Sequence, residues 1–171
     1  MISSKLKQHF VKKKTVKLSV KRNGKKAVSN KKVQSVGILT EEKFFQEYDL
    51  QKLVEEHLGL RNPKVYSYRK FDKNQEQSYK HFSENDFDWK AQIIESSFQS
   101  FLDQTFDVLI CFFPTNHPYL DYTALLSQAT FKVGFTGVDA NLFDLEISVK
   151  ASEVDEFFVE TKKYLTILNK L

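Results

Sequence analysis

A chain of 171 residues, 41% hydrophobic and 14% aromatic with 16 phenylalanines, is long enough to bury a real core as one domain and too apolar to be disordered. Its one cysteine, Cys111, excludes a disulfide framework or a cysteine zinc site. No run approaches the roughly 18–20 apolar residues of a bilayer span and no hydrophobic leader follows the first lysines, so the expectation is a soluble, cytoplasmic protein.

The net charge of +4 conceals an asymmetry, because residues 1–32 hold 12 of the 26 lysines and arginines and no acid. The remainder carries 14 basic against 22 acidic residues, a net of −8. A basic N-terminal arm over 1–32 thus precedes an acidic globular domain over 33–171. In the arm, Ile2, Leu6 and Phe10 recur every four residues with Val11 beside them, which predicts an amphipathic helix over the first dozen residues, starting after Ser3 or Ser4. Residues 15–20 are β-branched enough to extend as a strand instead. Asn23-Gly24 marks a turn, and the Lys-, Ser- and Asn-rich segment after it reads as an exposed linker.

The globular part opens with a strand over 33–39, which Thr40 as N-cap and Glu41-Glu42 turn into a helix. Phe44, Phe45 and Tyr48 do not share a stripe with Leu53, Val54 and Leu58, so the helical segment breaks near Asp49, and Gly59 ends it before a turn at Asn62-Pro63. Val65, Tyr66 and residues 68–71 predict a second strand, 72–80 a polar loop, and 82–89 a short third strand or extended segment. Ile94, Phe98, Phe101 and Leu102 share one helical face.

The organising stretch is 106–135. The apolar run FDVLICFF, closed by Pro114, predicts a strand buried on both faces, within which Cys111 acts as a small hydrophobe. Pro118 suits a helix's first turn, Tyr122, Leu125, Leu126 and Ala129 form its inward stripe, and 132–135 is the next strand. Phe143, Leu145, Ile147 and Val149 alternate with polar residues as a half-exposed edge strand does. Ser152 with Asp155 is a capping pattern for a closing helix carrying Val154, Phe157, Phe158, Thr161, Leu165 and Leu168. Strands alternating with helices predict an α/β fold: a single three-layer Rossmann-like domain with a mostly parallel sheet and an edge strand.

Only five glycines occur, at 24, 37, 59, 134 and 137, and none builds a phosphate-binding loop or a dinucleotide fingerprint. No catalytic residue, cofactor or metal is therefore assigned. Asp86-Phe87-Asp88 matches a pattern used to hold divalent ions, but 22 acids produce such a triplet by chance. In open α/β sheets ligands sit beyond the strand C-termini, which makes Thr115, Asn116, His117 and Asp121, with Thr136 from the next strand and Thr40-Glu41 from the first, the candidate pocket. The stronger feature is the arm. Lys5, Lys7, Lys12, Lys13, Lys14, Lys17, Lys21, Arg22, Lys25, Lys26, Lys31 and Lys32, unopposed by any acid, suit a polyphosphate. Lysine in place of arginine favours phosphate contact over base readout. The expectation is a non-enzymatic binding or accessory protein whose arm contacts RNA or a ribonucleoprotein. The alternatives are a small-ligand or glycosyltransferase-like site at 115–117, an anionic membrane surface touched by Ile2, Leu6, Phe10 and Val11, and an arm docked on the protein's own acidic body.

Asp86-Phe87-x-Trp89-Lys90, Gln99-Ser-Phe-Leu-Asp103, Phe106-Asp-x-Leu-Ile110, Ala129-x-Phe-Lys-x-Gly134 and the closing Tyr164-Leu-Thr-Ile-Leu-Asn-Lys170 together resemble an uncharacterised family of small Bacteroidota proteins, flavobacterial ones especially. That resemblance covers nearly the whole chain and implies a bacterial cytoplasm. Within 106–135, Asp107-x-Leu-Ile and Ser127-x-Ala-x-x-Lys-Val-Gly-Phe135 are similar to the N-terminal half of heptosyltransferase-type glycosyltransferases. This implies a Rossmann-like fold, while the second α/β half that holds the donor nucleotide in those enzymes has no counterpart in these 171 residues.

Overall fold

The computed structural model describes residues 4–23, 30–76 and 78–171; Ile2, Gly24, Lys25, Lys26 and most of the expected linker lie outside them. Six strands, β1 (Val36–Glu41), β2 (Lys64–Tyr68), β3 (His81–Phe82), β4 (Val108–Phe112), β5 (Lys132–Phe135) and β6 (Leu145–Ile147), form one sheet in the order β3-β2-β1-β4-β5-β6. Every pairing is parallel, the edge strand β6 included. The order reverses between β1 and β4, which is the arrangement of a doubly wound Rossmann-like sheet.

The helices are α1 (Ser4–Asn23), α2 (Glu42–Glu47), α3 (Leu50–Leu58), α4 (Ser96–Asp103), α5 (Pro118–Leu126) and α6 (Val154–Ile167). The break at Asp49 is real: its side chain caps α3 by accepting from the Lys52 N–H at 3.1 Å. Gly59, with φ of 68°, closes α3 in the left-handed region that a side chain disfavours. Thr15 to Val20 continues α1 rather than forming a strand, because burial of Val11 and Ser19 against the body fixes one helical face and no proline or glycine interrupts it.

Side-chain alternation divides the core. Phe112 at the centre of the sheet meets Phe44, Tyr48, Phe135, Phe157 and Phe158, at ring separations of 5.0 to 6.2 Å, on the side of α2 and α6. On the other side Tyr66 meets Phe98 and Phe101 of α4, and Tyr68 stacks on Tyr119 of α5. Such aromatic pairs add about 0.5–1.5 kcal/mol each beyond area burial. Cys111 is fully buried, and burial pushes its thiol up to about 12, as an inert core residue requires.

Several boundaries differ from the sequence expectations for identifiable reasons. Thr40 is not a helix cap but the buried penultimate residue of β1, its hydroxyl donating to the Phe112 carbonyl at 2.7 Å, and Glu41 takes the cap position. Pairing ends β2 at Tyr68, and β3 is only two residues before a 3-10 turn at Glu84–Asp86. Ile94 precedes α4 and is 65% exposed rather than part of its inward face. Glu153, not Ser152, precedes α6, and Leu168 lies beyond its end and is exposed.

Candidate functional site

Three regions gather polar chemistry, and α1 is the most strongly charged. Its inner face is fastened to the body along its length. Val11 is fully buried, Phe10 meets the Trp89 ring edge-on at 6.2 Å, and Lys7 donates to the Glu84 carbonyl at 2.9 Å. Near the C-terminal end the Arg22 guanidinium donates to the carbonyls of Asn141 and Phe143 and pairs with Asp144 at 2.7 Å. The helix packs across α5.

The outer face is then dictated by helical periodicity. Lys5, His9, Lys13, Lys17 and Lys21 follow at intervals of four and are all exposed, and Lys12, Val16 and Val20 form the adjacent exposed row. At 1.5 Å per residue the rungs rise about 6 Å each, a basic ridge of roughly 24 Å. The other predicted arm residues divide: Lys14 is half-buried, Lys7 and Arg22 are fastened as above, Lys31 pairs with Asp107 at 2.9 Å, and Lys32 donates to the Leu171 carbonyl.

The second region is the switch-point mouth. The loop after β4 brings Asn116, His117 and Asp121 together: the Asn116 amide donates to Asp121 at 3.0 Å and the His117 backbone N–H at 3.2 Å. The His117 ring lies 4.3 Å from that of Tyr68, and its Nδ1 accepts the Leu120 N–H at 3.4 Å, which caps α5 and leaves the proton of the neutral ring on Nε2. Burial pushes this imidazole below its ordinary range, against the pull of Glu41 and Glu84, and burial pushes the Asp121 carboxyl up. Thr115 and Thr136 are exposed, and the Thr136 N–H donates to the Ile147 carbonyl of β6. At the first strand-to-helix turn, where a Rossmann sheet receives a pyrophosphate, stand Glu41 and Glu42, whose carboxylates repel one.

The third region escaped sequence reading. A cavity of about 520 Å³ opens beside β3, between the loop after β2 and residues 83–97. Phe71, Tyr79 and Ile94 line it while staying 50%, 86% and 65% exposed. The only sequence signal is Phe71 and Tyr79 set at the two ends of the polar run 72–78. Asp86 lines it too, whereas Asp88 accepts the N–H groups of Lys90 and Gln92 in a local turn, so the Asp-x-Asp pair has two separate structural tasks. Among the described residues no cluster of metal-ligating side chains occurs.

The sequence itself decides the wider relationship, because one family pattern runs from α1 to the end of α6. The chain belongs to the DUF6913 family, a family of unknown function, which it matches over residues 7–168. The DUF6913 match therefore takes in most of the basic helix together with the sheet. Comparison with curated proteins and with solved structures found no match. Among the described residues no helix is long and apolar enough to cross a membrane.

Proposed function

We propose that this DUF6913 protein is a non-enzymatic RNA-binding or ribonucleoprotein accessory protein that contacts phosphates through α1. One observation carries the reading: the exposed, acid-free row of Lys5, His9, Lys13, Lys17 and Lys21 on a helix whose opposite face is fastened to the body. A docked helix has already lost its conformational entropy, so its lysines meet a polyanion at lower cost than those of an unstructured tail. The setting that fits is a Bacteroidota cytoplasm, as the sequence resemblance implies. A small-ligand or transferase-like site at 115–117 ranks second, because Asn116, His117 and Asp121 are already bonded to one another and to α5.

The test is fluorescence anisotropy with a generic single-stranded RNA over a salt series. Four exposed lysines, Lys12, Lys13, Lys17 and Lys21, at roughly −0.7 per phosphate predict a log–log slope of about −3. Lys13→Glu, Lys17→Glu and Lys21→Glu together should weaken binding at least about ten-fold. A slope near zero, or pelleting with anionic vesicles but no RNA binding, overturns the reading.

A further inference from the structure

The cavity beside β3 has the parts of a nucleobase site. At about 520 Å³ it falls in the size range of small-ligand pockets, roughly 300–1,000 Å³. Phe71, Tyr79 and Ile94 present apolar surface to it that the fold leaves uncovered, and bare aromatic faces are what unpaired bases stack on. Its polar side is selective. Asp86 Oδ2 accepts from the Ser83 N–H and hydroxyl at 2.6 and 3.2 Å, while Oδ1 accepts from no group among the described residues. Glu95, by contrast, is committed at both oxygens to Ser97 and Phe98 at the start of α4. A carboxylate oxygen with unspent capacity beside aromatic rings asks for a planar ligand edge carrying N–H donors. Guanine offers two adjacent ones, adenine and cytosine an amino group, and uracil the fewest.

Charge fixes the orientation. Four carboxylates (Asp72, Glu76, Asp86 and Glu95) against Arg69 and Lys70 disfavour a phosphate inside and allow one only at the cationic rim. The cavity also lies close to the N-terminal end of α1. Lys7 of α1 holds the Glu84 carbonyl, and the Glu84 carboxylate accepts the Phe71 N–H at 3.2 Å and the Tyr68 hydroxyl at 3.0 Å. One residue thus links the N-terminal end of α1 to the aromatic wall.

We infer that this cavity binds a single purine nucleotide, guanine preferred, with the base against Phe71 and Tyr79, its N–H edge on Asp86 and its phosphate outside near Arg69 and Lys70. The nucleotide is either free or an unpaired residue of an RNA lying on α1. In the second case the site deepens the ridge reading; in the first it stands without it.

The experiment titrates the full chain with GMP, AMP, CMP and UMP, and with guanine-containing and guanine-free single-stranded RNA, using isothermal calorimetry and anisotropy. Wild type is compared with Phe71→Ala, Tyr79→Ala, Asp86→Asn and the triple ridge variant. Phe71 and Tyr79 are exposed, so their truncation leaves the fold intact even where Asp86→Asn loosens the Ser83 turn. Expected are saturable GMP binding ahead of UMP, a loss of roughly five-fold or more in Phe71→Ala and Tyr79→Ala, and loss of the guanine preference in Asp86→Asn. GMP binding without RNA binding upholds the site and removes the ridge reading. RNA binding that the ridge variant abolishes, with no response to Phe71→Ala, Tyr79→Ala or Asp86→Asn, overturns the site and keeps the ridge. Binding of neither overturns both.

Discussion

Asp144 receives two parts of the chain on one carboxylate oxygen: the Arg22 guanidinium at 2.7 Å and the backbone N–H of Lys132 at 2.8 Å. The first fastens α1 and the second the start of β5, so the basic ridge is held by the sheet's own edge. Both side chains are mostly buried, which places the pair above the surface median of about 0–1 kcal/mol. Arg22→Ala should cost about 2 kcal/mol, since it strips Asp144, Asn141 and Phe143 of one shared donor. Hydrogen exchange is the decisive readout: amides of the C-terminal half of α1 should lose protection while those of β4 keep theirs. Unchanged α1 protection would show that Lys7, Phe10 and Val11 suffice to dock the helix.

Lys132 lies in the same cluster and works against stability. It is 4% exposed, its ammonium donates to the Ser127 carbonyl at 3.0 Å, and burial, aided by Arg22, lowers it from an ordinary 10.5 to about 8. A base whose folded pKa is depressed is bound to a proton more readily in the unfolded chain. Stability therefore rises with pH from about 8 to about 10.5 and carries the full penalty below 8. Lys132→Met, close in volume, should stabilise the protein by about 1–3 kcal/mol at pH 7 and flatten that alkaline rise in urea titrations. A destabilised variant would mean that the Ser127 carbonyl needs its donor more than the core needs the charge removed.

Asp107 has the opposite sign. Burial alone would raise its carboxyl, but Lys31 and the donors of Gln34 and Ser35 outweigh it and hold it at about 2. These bonds tie the segment leading into β1 to the foot of β4. An acid with a depressed folded pKa contributes stability above its ordinary 3.8 that is lost as pH falls toward 2. Asp107→Asn should cost about 2 kcal/mol at pH 7 and reduce the acid dependence of urea midpoints between pH 4 and 2. A variant as stable as wild type would leave Lys31 and Ser35 with no part in holding the entry to β1.

How much was legible follows from where each signal arises. β4 and β5 were plain because strands buried on both faces read as unbroken apolar runs, and α5 was marked by Pro118. The α3 boundaries were legible because Asp49 and Gly59 act locally. Thr40 misled because its hydroxyl finds a partner 72 positions away in Phe112, a bond that no local pattern reveals. The lysines of α1 were plain as a charge block, but which would face outward depends on the burial of Val11 and on Arg22 meeting Asp144 in space. The cavity beside β3 was invisible for the same reason, being bounded by residues from both sides of a two-residue strand.

Gly134 shows how tightly that long-range packing is set. A Cβ built there would lie 2.3 Å from the Phe143 ring, closer than atoms approach, although the backbone lies in a strand that any residue can form. The glycine is thus required by close approach and not by conformation. Phe143 is 1% exposed and also meets the Phe113 ring at 6.2 Å, so it has nowhere to retreat without opening the β4 side of the core. Gly134→Ala should therefore destabilise by about 1–3 kcal/mol through overpacking. Phe143→Leu alone should also destabilise, by leaving space beside the glycine, yet the two together should cost less than their sum, because the added methyl enters the volume the ring vacates. Urea unfolding of the four proteins measures that coupling, and strict additivity would mean that the alanine is accommodated by a shift of β5 rather than by contact with Phe143.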